Sequence, residues 1–225
     1  MINVVCLYWG DKYDTNYVQV LYNMVERNLT VPHKFICFTD HTKIHKMVKG
    51  DIEFRGMPHH NYQGWWNKLT LLSPEAKLEG DNLYFDLDVV ILDNIDCFAT
   101  YEPDTFFIGM NDFNKATKMF NSSIMRFNNK AMTPNVWHPY LDDKTNMDRN
   151  QGDQNVISLF IKKTPHWKAY PDEWTFSYKW FSREHPRFSK DRWTFEKQPN
   201  AKVAEFHGKP NPHESEQDWV KKAWF

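Results

Sequence analysis

The sequence predicts an α/β fold in which helices cover a mixed, mainly parallel sheet. Short apolar runs of strand length alternate with longer amphipathic segments through residues 1–110, an order typical of parallel strands joined by helices. Apolar residues make up 41% of the chain and charged residues 25%, as in ordinary globular proteins. A chain of 225 residues is long enough for one compact α/β domain, so we predict a single domain spanning residues 1–225.

The individual elements follow from the periodicity of apolar residues along the chain. The run that starts at Ile2 ends in a turn signal at Gly10, as expected for a buried strand. The spacing of Tyr17, Leu21 and Met24 predicts the first helix. By the same criteria, strands are predicted at 2–8, 35–38, 52–54, 83–92, 105–110 and 123–127, and helices at 13–28, 64–72 and 152–161. Beyond about residue 164 the periodicity fades, which predicts loops and short elements that close over a site.

Charge and composition exclude several classes of protein. The chain carries 28 basic and 29 acidic side chains, so it has no excess of positive charge with which to coat a nucleic acid. No apolar run approaches the roughly 18 residues that cross a bilayer. The first residues lack a basic leader, so we expect a soluble, cytoplasmic protein without a signal peptide or transmembrane segment. Cys6, Cys37 and Cys97 are odd in number and far apart, which predicts free thiols.

The most informative stretch is the run from Leu83 to Leu92, in which Asp86 and Asp88 interrupt large apolar residues. On a strand, these two side chains would share one face, about 6–7 Å apart along the backbone. Two carboxylates on one face of a buried element repel each other and are costly to desolvate, and a divalent cation removes both costs. Oxygen ligands of this kind suit Mn²⁺ or Mg²⁺. The alternative is a strand end at which both acids meet solvent or cap a helix.

A second candidate segment lies at residues 203–210, near the carboxyl end. A short apolar approach leads to His207, Gly208 and Lys209. An imidazole can add a nitrogen ligand to a carboxylate metal site. Gly208 would let the backbone approach an anionic ligand, and Lys209 could neutralise a phosphate. The alternative for His207 is a polar side chain without a ligand.

These motifs, in this order, resemble those of the GT-A glycosyltransferases, particularly the retaining family 8 and related nucleotide-sugar transferases with a DXD strand. The resemblance rests on four segments: Tyr84-Phe85-Asp86-Leu87-Asp88-Val89, Phe120-Asn121-Ser122-Ser123-Ile124-Met125, Gly152-Asp153-Gln154-Asn155 and Phe206-His207-Gly208-Lys209-Pro210. It implies a GT-A (Rossmann-like) nucleotide-diphospho-sugar transferase fold. Within it, residues 1–110 would be the nucleotide-binding half and residues 111–225 the acceptor and closure half.

The resemblance also implies a metal site. Asp86, Asp88 and His207 would hold Mn²⁺ (or Mg²⁺), which bridges the diphosphate of a nucleotide-sugar donor. Lys209 would stand beside that diphosphate. The family usually places several more residues between this histidine and its lysine, so Lys68 is an alternative for the same role.

Two further segments are expected at the donor sugar. By resemblance, Asp153 and Gln154 contact the sugar and its reacting face. In a retaining enzyme the Gln154 amide would support the developing cation, whereas an inverting enzyme would use Asp153 as the general base. The alternative for Asp153 is helix capping. Asn121 is predicted to orient donor hydroxyls, with a turn asparagine as the alternative, and Trp65 is predicted to form part of the cleft wall.

Aromatic residues are unusually abundant, at 16% of the chain, and such rings can stack on ligands as well as fill a core. Tyr8 and Trp9 lie at the end of the first strand and Asp40 follows the second, where they are placed to hold a nucleobase and its ribose. Trp174 and Trp180 lie in the late aperiodic region, where they are predicted to stack on the sugar rings of an acceptor. The alternative for these two is packing within loops.

The predicted function is a metal-dependent transfer of a hexose from a nucleotide-sugar, with a UDP-linked donor expected, to a carbohydrate acceptor, with retention. Two other classes stay open. A metal-dependent phosphohydrolase or nucleotidyltransferase would need further carboxylates for a second metal and a cationic clamp. A non-catalytic carbohydrate-binding protein would stack glycans on its tryptophans without binding a nucleotide.

Overall fold

Two sheets organise the chain in the computed structural model, which describes residues 1–143, 152–178 and 200–225. The strands are β1 (Ile2–Tyr8), β2 (His33–Thr39), β3 (Ile52–Gly56), β4 (Asp81–Phe85), β5 (Val89–Ile91), β6 (Phe107–Asn111), β7 (Phe120–Asn128), β8 (Trp167–Ala169), β9 (Thr175–Ser177) and β10 (Val203–Glu205). The helices are α1 (Asn16–Asn28), α2 (Asn67–Thr70), α3 (Asp96–Thr100), α4 (Asn129–Met132), α5 (His138–Asp142), α6 (Asp153–Ile161) and α7 (Asp218–Ala223).

The larger sheet has seven strands in the order β3-β2-β1-β4-β7-β6-β8. Strand β7 runs antiparallel to both of its neighbours, and the other pairs are parallel. The smaller sheet has three strands in the order β5-β10-β9, with β10 antiparallel to β5 and parallel to β9. The predicted mixed, mainly parallel sheet with flanking helices is therefore confirmed.

Both faces of the larger sheet are buried. Successive residues of β1 point to opposite faces, so Val4 and Cys6 join Leu21 of α1 in one apolar cluster. Val5 and Leu7 join a second cluster, to which α2 and α6 contribute. Burial on both faces explains why the parallel strands are almost continuously apolar in sequence.

The prediction of one strand over residues 83–92 is wrong. Strand β4 ends at Phe85, residues 86–88 turn, and β5 resumes in the smaller sheet, where Val90 pairs with Ala204. The backbone N–H of Asp86 donates to Ser123 O of the larger sheet at 2.8 Å, while Asp88 O accepts from Phe206 N beside the smaller sheet at 3.0 Å. These three residues, which we call the acidic turn, therefore join the two sheets.

The remaining elements lie close to their predicted positions. The predicted helix over 64–72 is a 3₁₀ turn at Gly64–Trp66 followed by α2. The late region contributes strands to both sheets, because β8 forms an edge of the larger sheet and β9 and β10 belong to the smaller one. The three cysteines are free thiols, as predicted. Among the described residues, no helix combines the length and apolar character needed to cross a bilayer.

Candidate active site

A cleft of about 750 Å³ opens where β1 and β4 end and β7 begins. The carboxyl ends of parallel strands meet at this edge, which is the usual place for a ligand in an open α/β sheet. The starts of α2 and α6 and the end of β10 complete its walls. The predicted site residues that line it are Trp9, Trp65, Lys68, Asp86, Asp88, Asn121, Asp153, Gln154, His207 and Gly208. Segments far apart in sequence are thus brought together.

Asp86 and Asp88 both line the cleft, although not for the predicted reason. They belong to a turn and not to one face of a strand, because β4 stops at Phe85 and the two residues are tied to different sheets. The Asp86 side chain keeps 25% of its surface exposed and that of Asp88 keeps 13%. Two partly buried carboxylates therefore stand at the floor of the cleft.

A buried lysine holds Asp86 in place. Lys68 Nζ lies 3.0 Å from Asp86 Oδ1 and 3.5 Å from Asp153 Oδ2, and it donates to Ser122 O at 3.1 Å. Burial lowers the pKa of Lys68, but the charges of Asp153 and Asp86 outweigh it and leave that pKa above its ordinary value. We call Lys68, Asp86 and Asp153 the Lys68 cluster. Its ammonium is committed to protein oxygens, which is characteristic of a positioning residue.

Asp153 is the first residue of α6 and is almost fully buried. Its Oδ2 accepts no hydrogen bond from the described residues, and its contact with Lys68 is electrostatic. Gln154, next on the helix, is half-buried and lines the cleft. The preceding Gly152 lets the helix start close to Trp65, because a Cβ on Gly152 would lie 3.1 Å from Trp65 Nε1.

Asp88 has a weaker set of partners than Asp86. Tyr13 OH donates to Asp88 Oδ2 at 2.7 Å, and Lys12 Nζ lies 4.0 Å from the same oxygen on a side chain that is 56% exposed. Burial, followed by the charge of Asp86, raises the pKa of Asp88 to about 6, although the Tyr13 hydrogen bond opposes this. Additional positive charge at the acidic turn would relieve that cost.

Glu205 is a cleft residue that the sequence reasoning missed. It is 3% exposed, and it accepts hydrogen bonds from Asn121 Nδ2 at 3.0 Å and from Ser123 Oγ at 2.7 Å. Burial, with the charges of Asp88 and Asp86, raises the pKa of Glu205 to about 8 although these hydrogen bonds lower it. Its signal was a single acid inside the apolar run 203–206. We call Glu205, Asn121 and Ser123 the Glu205 cluster.

The segment after β10 divides between the cleft and the surface. His207 lines the cleft, stacks on Phe113 and places Nε2 2.5 Å from Ser177 Oγ. Gly208 has a φ of 78°, a conformation that favours glycine. Lys209 points away, because its side chain is 81% exposed and pairs with Glu214 at 3.0 Å. Of the two lysines considered for a phosphate, Lys68 lines the cleft but is already paired, and Lys209 is paired outside it.

The aromatic predictions are placed differently. Trp9 and the 59% exposed Trp65 form cleft wall. Tyr8 is buried and stacks on His41 with 4.5 Å between ring centroids, so its ring packs beside the cleft instead of facing it.

The other predicted contacts at the rims also lie apart from the cleft lining. Asp40 accepts from Gly10 N at 3.2 Å, and this contact closes the turn after β1. Trp174 packs edge-on against Phe98 and Tyr101, each with 5.3 Å between centroids, which matches the loop-packing alternative. Trp180 lies outside the described residues.

The donor groups at the acidic turn suit a hard divalent cation. Asp86 and Asp88 offer carboxylate oxygens, and the raised pKa of Asp88, which burial and then Asp86 cause, reflects a shortage of positive charge there. Within residues 1–143, 152–178 and 200–225, no three His, Cys, Asp or Glu side chains lie close enough together to form a complete metal site. His207 would have to exchange its contact with Ser177 Oγ to become a third ligand through Nε2. The two carboxylates therefore fit, and the imidazole stands nearby.

Comparison with solved structures shows the fold. The galactosyltransferase LgtC, in a complex with donor and acceptor sugar analogues, superposes with a TM-score of 0.68 at 15% identity, over 99% of this chain and 96% of that one. The glycosyltransferase GlyE of Streptococcus pneumoniae TIGR4 gives a TM-score of 0.67 at 14% identity, over 93% of this chain and 56% of that one. Mouse xyloside xylosyltransferase 1 gives 0.56 at 12% identity, over 92% and 97%.

At these identities the likeness is one of architecture. The predicted GT-A fold is confirmed, since the chain shares the arrangement of these glycosyltransferases over nearly its whole length. No family model matches the sequence, and no curated protein sequence matches it either.

Proposed function

We propose that this protein is a metal-dependent glycosyltransferase that moves a hexose from a UDP-linked donor to a carbohydrate acceptor, with retention at the anomeric carbon. The observation that carries the proposal is the acidic turn, which places Asp86 and Asp88 at the floor of the cleft of a GT-A fold. The likeness to LgtC, a galactosyltransferase studied with donor and acceptor sugar analogues, supports sugar transfer over the other two classes.

The first requirement of such a reaction is a site for the departing diphosphate. Breaking the bond between the anomeric carbon and the phosphate oxygen builds negative charge on that oxygen. A divalent cation held by Asp86 and Asp88, with His207 as a further donor, would supply positive charge at that position. Lys68 fixes the Asp86 carboxylate through an ion pair, and Tyr13 fixes Asp88 through a hydrogen bond. The protein therefore presents both carboxylates in set orientations.

The second requirement is stabilisation of the sugar while it carries positive charge. Gln154 lines the cleft at the start of α6, where its amide oxygen can face that charge. Asp153 is buried, and its carboxylate is paired with the Lys68 ammonium at 3.5 Å, which favours a positioning role over a role at the reacting face. This arrangement favours retention, with Gln154 at the reacting face and Asp153 holding the helix and Lys68 in register.

An acceptor must enter from the open side of the cleft. Trp65 presents a largely exposed ring there, and sugar rings stack on such faces. Trp180 stays a proposed acceptor contact. Trp174 is the weaker of the two predicted contacts, since its ring is packed against Phe98 and Tyr101.

The proposal is tested by calorimetric titration of the protein with UDP, with and without Mn²⁺. We expect UDP binding that requires the metal, and a lower affinity for Mn²⁺, by about tenfold or more, in His207→Ala. The exposed Lys209→Ala is the matched control from the same segment and should keep its Mn²⁺ affinity.

Three other results would change the conclusion. Metal-dependent binding of a different nucleoside diphosphate would keep the enzyme class and change the donor. Equal Mn²⁺ affinity in wild type and His207→Ala would remove His207 from the metal site. A protein that binds no nucleotide under any condition, yet binds glycans, would be a carbohydrate-binding protein.

A further inference from the structure

Glu205 is a buried cleft carboxylate to which the proposed chemistry gives no role. It lies at the end of β10, it is 3% exposed, and it lines the same cleft as the acidic turn. Burying a carboxylate costs several kcal/mol unless the protein or a ligand compensates it. Compensation here comes from neutral donors of β7, Asn121 and Ser123. The proposed chemistry does not explain why a carboxylate is buried at this position.

A purely structural role does not account for a carboxyl group at this position. Glu205 does link β10 of the smaller sheet to β7 of the larger one through Asn121 and Ser123. An uncharged side chain would make such a link without the desolvation cost of a carboxylate. The link explains the position of the side chain and leaves its carboxylate unexplained.

The hydrogen bonds of Glu205 are unequal between its two oxygens. Oε1 accepts from Asn121 Nδ2 at 3.0 Å and from Ser123 Oγ at 2.7 Å. Among the described residues, Oε2 accepts only from Asn121 Nδ2, at 3.0 Å. A carboxylate oxygen has two lone pairs, so Oε2 retains capacity for one more donor. Because Glu205 lines the cleft, a ligand hydroxyl can supply that donor.

Asn121, in contrast, is already engaged. Its Nδ2 donates to both Glu205 oxygens, and its Oδ1 accepts from Ser123 N at 2.7 Å. The amide that the sequence predicts as the reader of donor hydroxyls lines the cleft, but both of its ends are bonded to protein groups. The group that it orients toward the cleft is the Glu205 carboxylate.

We propose that Glu205 determines sugar specificity by accepting, through Oε2, a hydrogen bond from one hydroxyl of the donor hexose, with Asn121 and Ser123 as its positioning residues. The assignment rests on the proposed function. Glu205 lines the same cleft as Asp86 and Asp88, so a donor whose diphosphate is held at the acidic turn would bring its sugar into the cavity that Glu205 lines. The expected ligand chemistry is one equatorial or axial hydroxyl of a neutral hexose.

The test measures kcat/KM for wild type and Glu205→Gln with the UDP-hexose that wild type uses best among UDP-glucose, UDP-galactose and their N-acetylamino forms. The monodeoxy analogues of that donor are then compared. In wild type, one deoxy donor should lose about 10- to 100-fold, as expected for a missing hydrogen bond to a buried carboxyl group. In Glu205→Gln the same deoxygenation should cost less than about threefold, because the amide NH2 group that replaces Oε2 cannot accept a hydrogen bond from the hydroxyl.

Two further measurements separate recognition from folding. UDP alone, titrated with Mn²⁺, should bind wild type and Glu205→Gln within about twofold, since the nucleotide lacks the hexose. Lys209→Ala changes an exposed side chain of the same segment that pairs outside the cleft, so it should retain the wild-type discrimination. If Glu205→Gln fails to fold, Glu205→Asp keeps the carboxyl group and withdraws it by one methylene, and it should reduce the same discrimination.

Each outcome decides between the two proposals. Wild type that transfers sugar but shows the same discrimination as Glu205→Gln overturns this inference alone. Discrimination that moves to a hydroxyl of the acceptor overturns the assignment to the donor. Wild type that neither binds UDP with Mn²⁺ nor uses any of these donors overturns the proposed function and this inference with it.

Discussion

Two buried polar clusters face the same cleft and solve the cost of burial in opposite ways. In the Lys68 cluster, an ammonium stands 3.0 Å from one carboxylate and 3.5 Å from another. In the Glu205 cluster, a carboxylate is held by an amide and a hydroxyl. Burial raises the pKa of Glu205 to about 8, whereas the pKa of Lys68 lies above its ordinary value because carboxylates outweigh burial. The charged form of Lys68 is thus favoured by its partners, whereas the charged form of Glu205 is disfavoured as long as no ligand occupies the cleft.

The largest effect on stability is expected when the Lys68 cluster loses its cation and, like the Glu205 cluster, holds carboxylates without a paired positive charge. Lys68→Met leaves Asp86 and Asp153 buried without their cation, so the free energy of unfolding should fall by about 3–5 kcal/mol. Urea denaturation at neutral pH measures it.

The matched control for that variant is Lys12→Met. Its ammonium lies 4.0 Å from Asp88 but its side chain is 56% exposed, so the loss should stay below about 0.5 kcal/mol. Equal losses in the two variants would show that burial does not distinguish these lysines.

The next prediction concerns Asp88, whose charge, in addition to burial, affects the pKa of both Lys68 and Glu205. Asp88→Ala should lower the rate of sugar transfer by about 10²- to 10³-fold, since it removes a proposed metal ligand. Its free energy of unfolding should change less than that of Lys68→Met, because burial, with the charge of Asp86, already raises the pKa of Asp88 to about 6. Steady-state kinetics at saturating Mn²⁺ and urea denaturation give the two quantities. Unchanged turnover would remove Asp88 from the metal site.

The last effect, which is gradual with pH, is a pH dependence of stability that belongs to the Glu205 cluster. Burial raises the folded-state pKa of Glu205 from 4.5 to about 8, so between these values the folded protein retains a proton that the unfolded chain releases. The free energy of unfolding should therefore fall as pH rises from about 5 to 8, by at most about 1.4 kcal/mol per pH unit from this residue.

Glu205→Gln lacks that proton, so its stability curve should fall less steeply over the same window. Asp88 contributes to the lower part of the window in both proteins, because burial raises its pKa in the same direction. Urea denaturation from pH 5 to 8 in the presence of EDTA compares them. Parallel curves would mean that Glu205 is ionised in the folded protein throughout this range.

Much of the fold was predictable because it depends on local pattern. Apolar runs and helical spacing identified β1, α1, β2 and α6, since burial on two faces of a sheet leaves a strong signal. The break at the acidic turn was not predictable in this way. The run from 83 to 92 reads as continuous strand, and its division follows from pairing with β10, more than 100 residues away.

The site residues likewise differ in whether a local sequence pattern or long-range packing identifies them. Asp86, Asp88, Asp153 and His207 stood out as polar residues in distinctive motifs, and all four line the cleft. Glu205 was passed over because one acid in a short apolar run has no motif around it. Its proposed role depends on β7, because Asn121 and Ser123 contact Glu205 only where the two sheets pack together. The commitment of Lys68 to protein carboxylates is likewise a three-dimensional fact, since its partners lie at 86, 122 and 153.

The acidic turn has a mechanical consequence. Asp86 is hydrogen-bonded to the larger sheet, and Asp88 is hydrogen-bonded to the chain that leaves the smaller sheet. The turn therefore links the positions of the two sheets. A ligand that binds to both Asp86 and Asp88 would stabilise the packing of the two sheets against each other. By reciprocity, a change that weakens the packing of β9 and β10 would lower the affinity for that ligand. Ligand affinity at the cleft floor and the stability of the three-stranded sheet are therefore coupled, and a measurement of either quantity reports on the other.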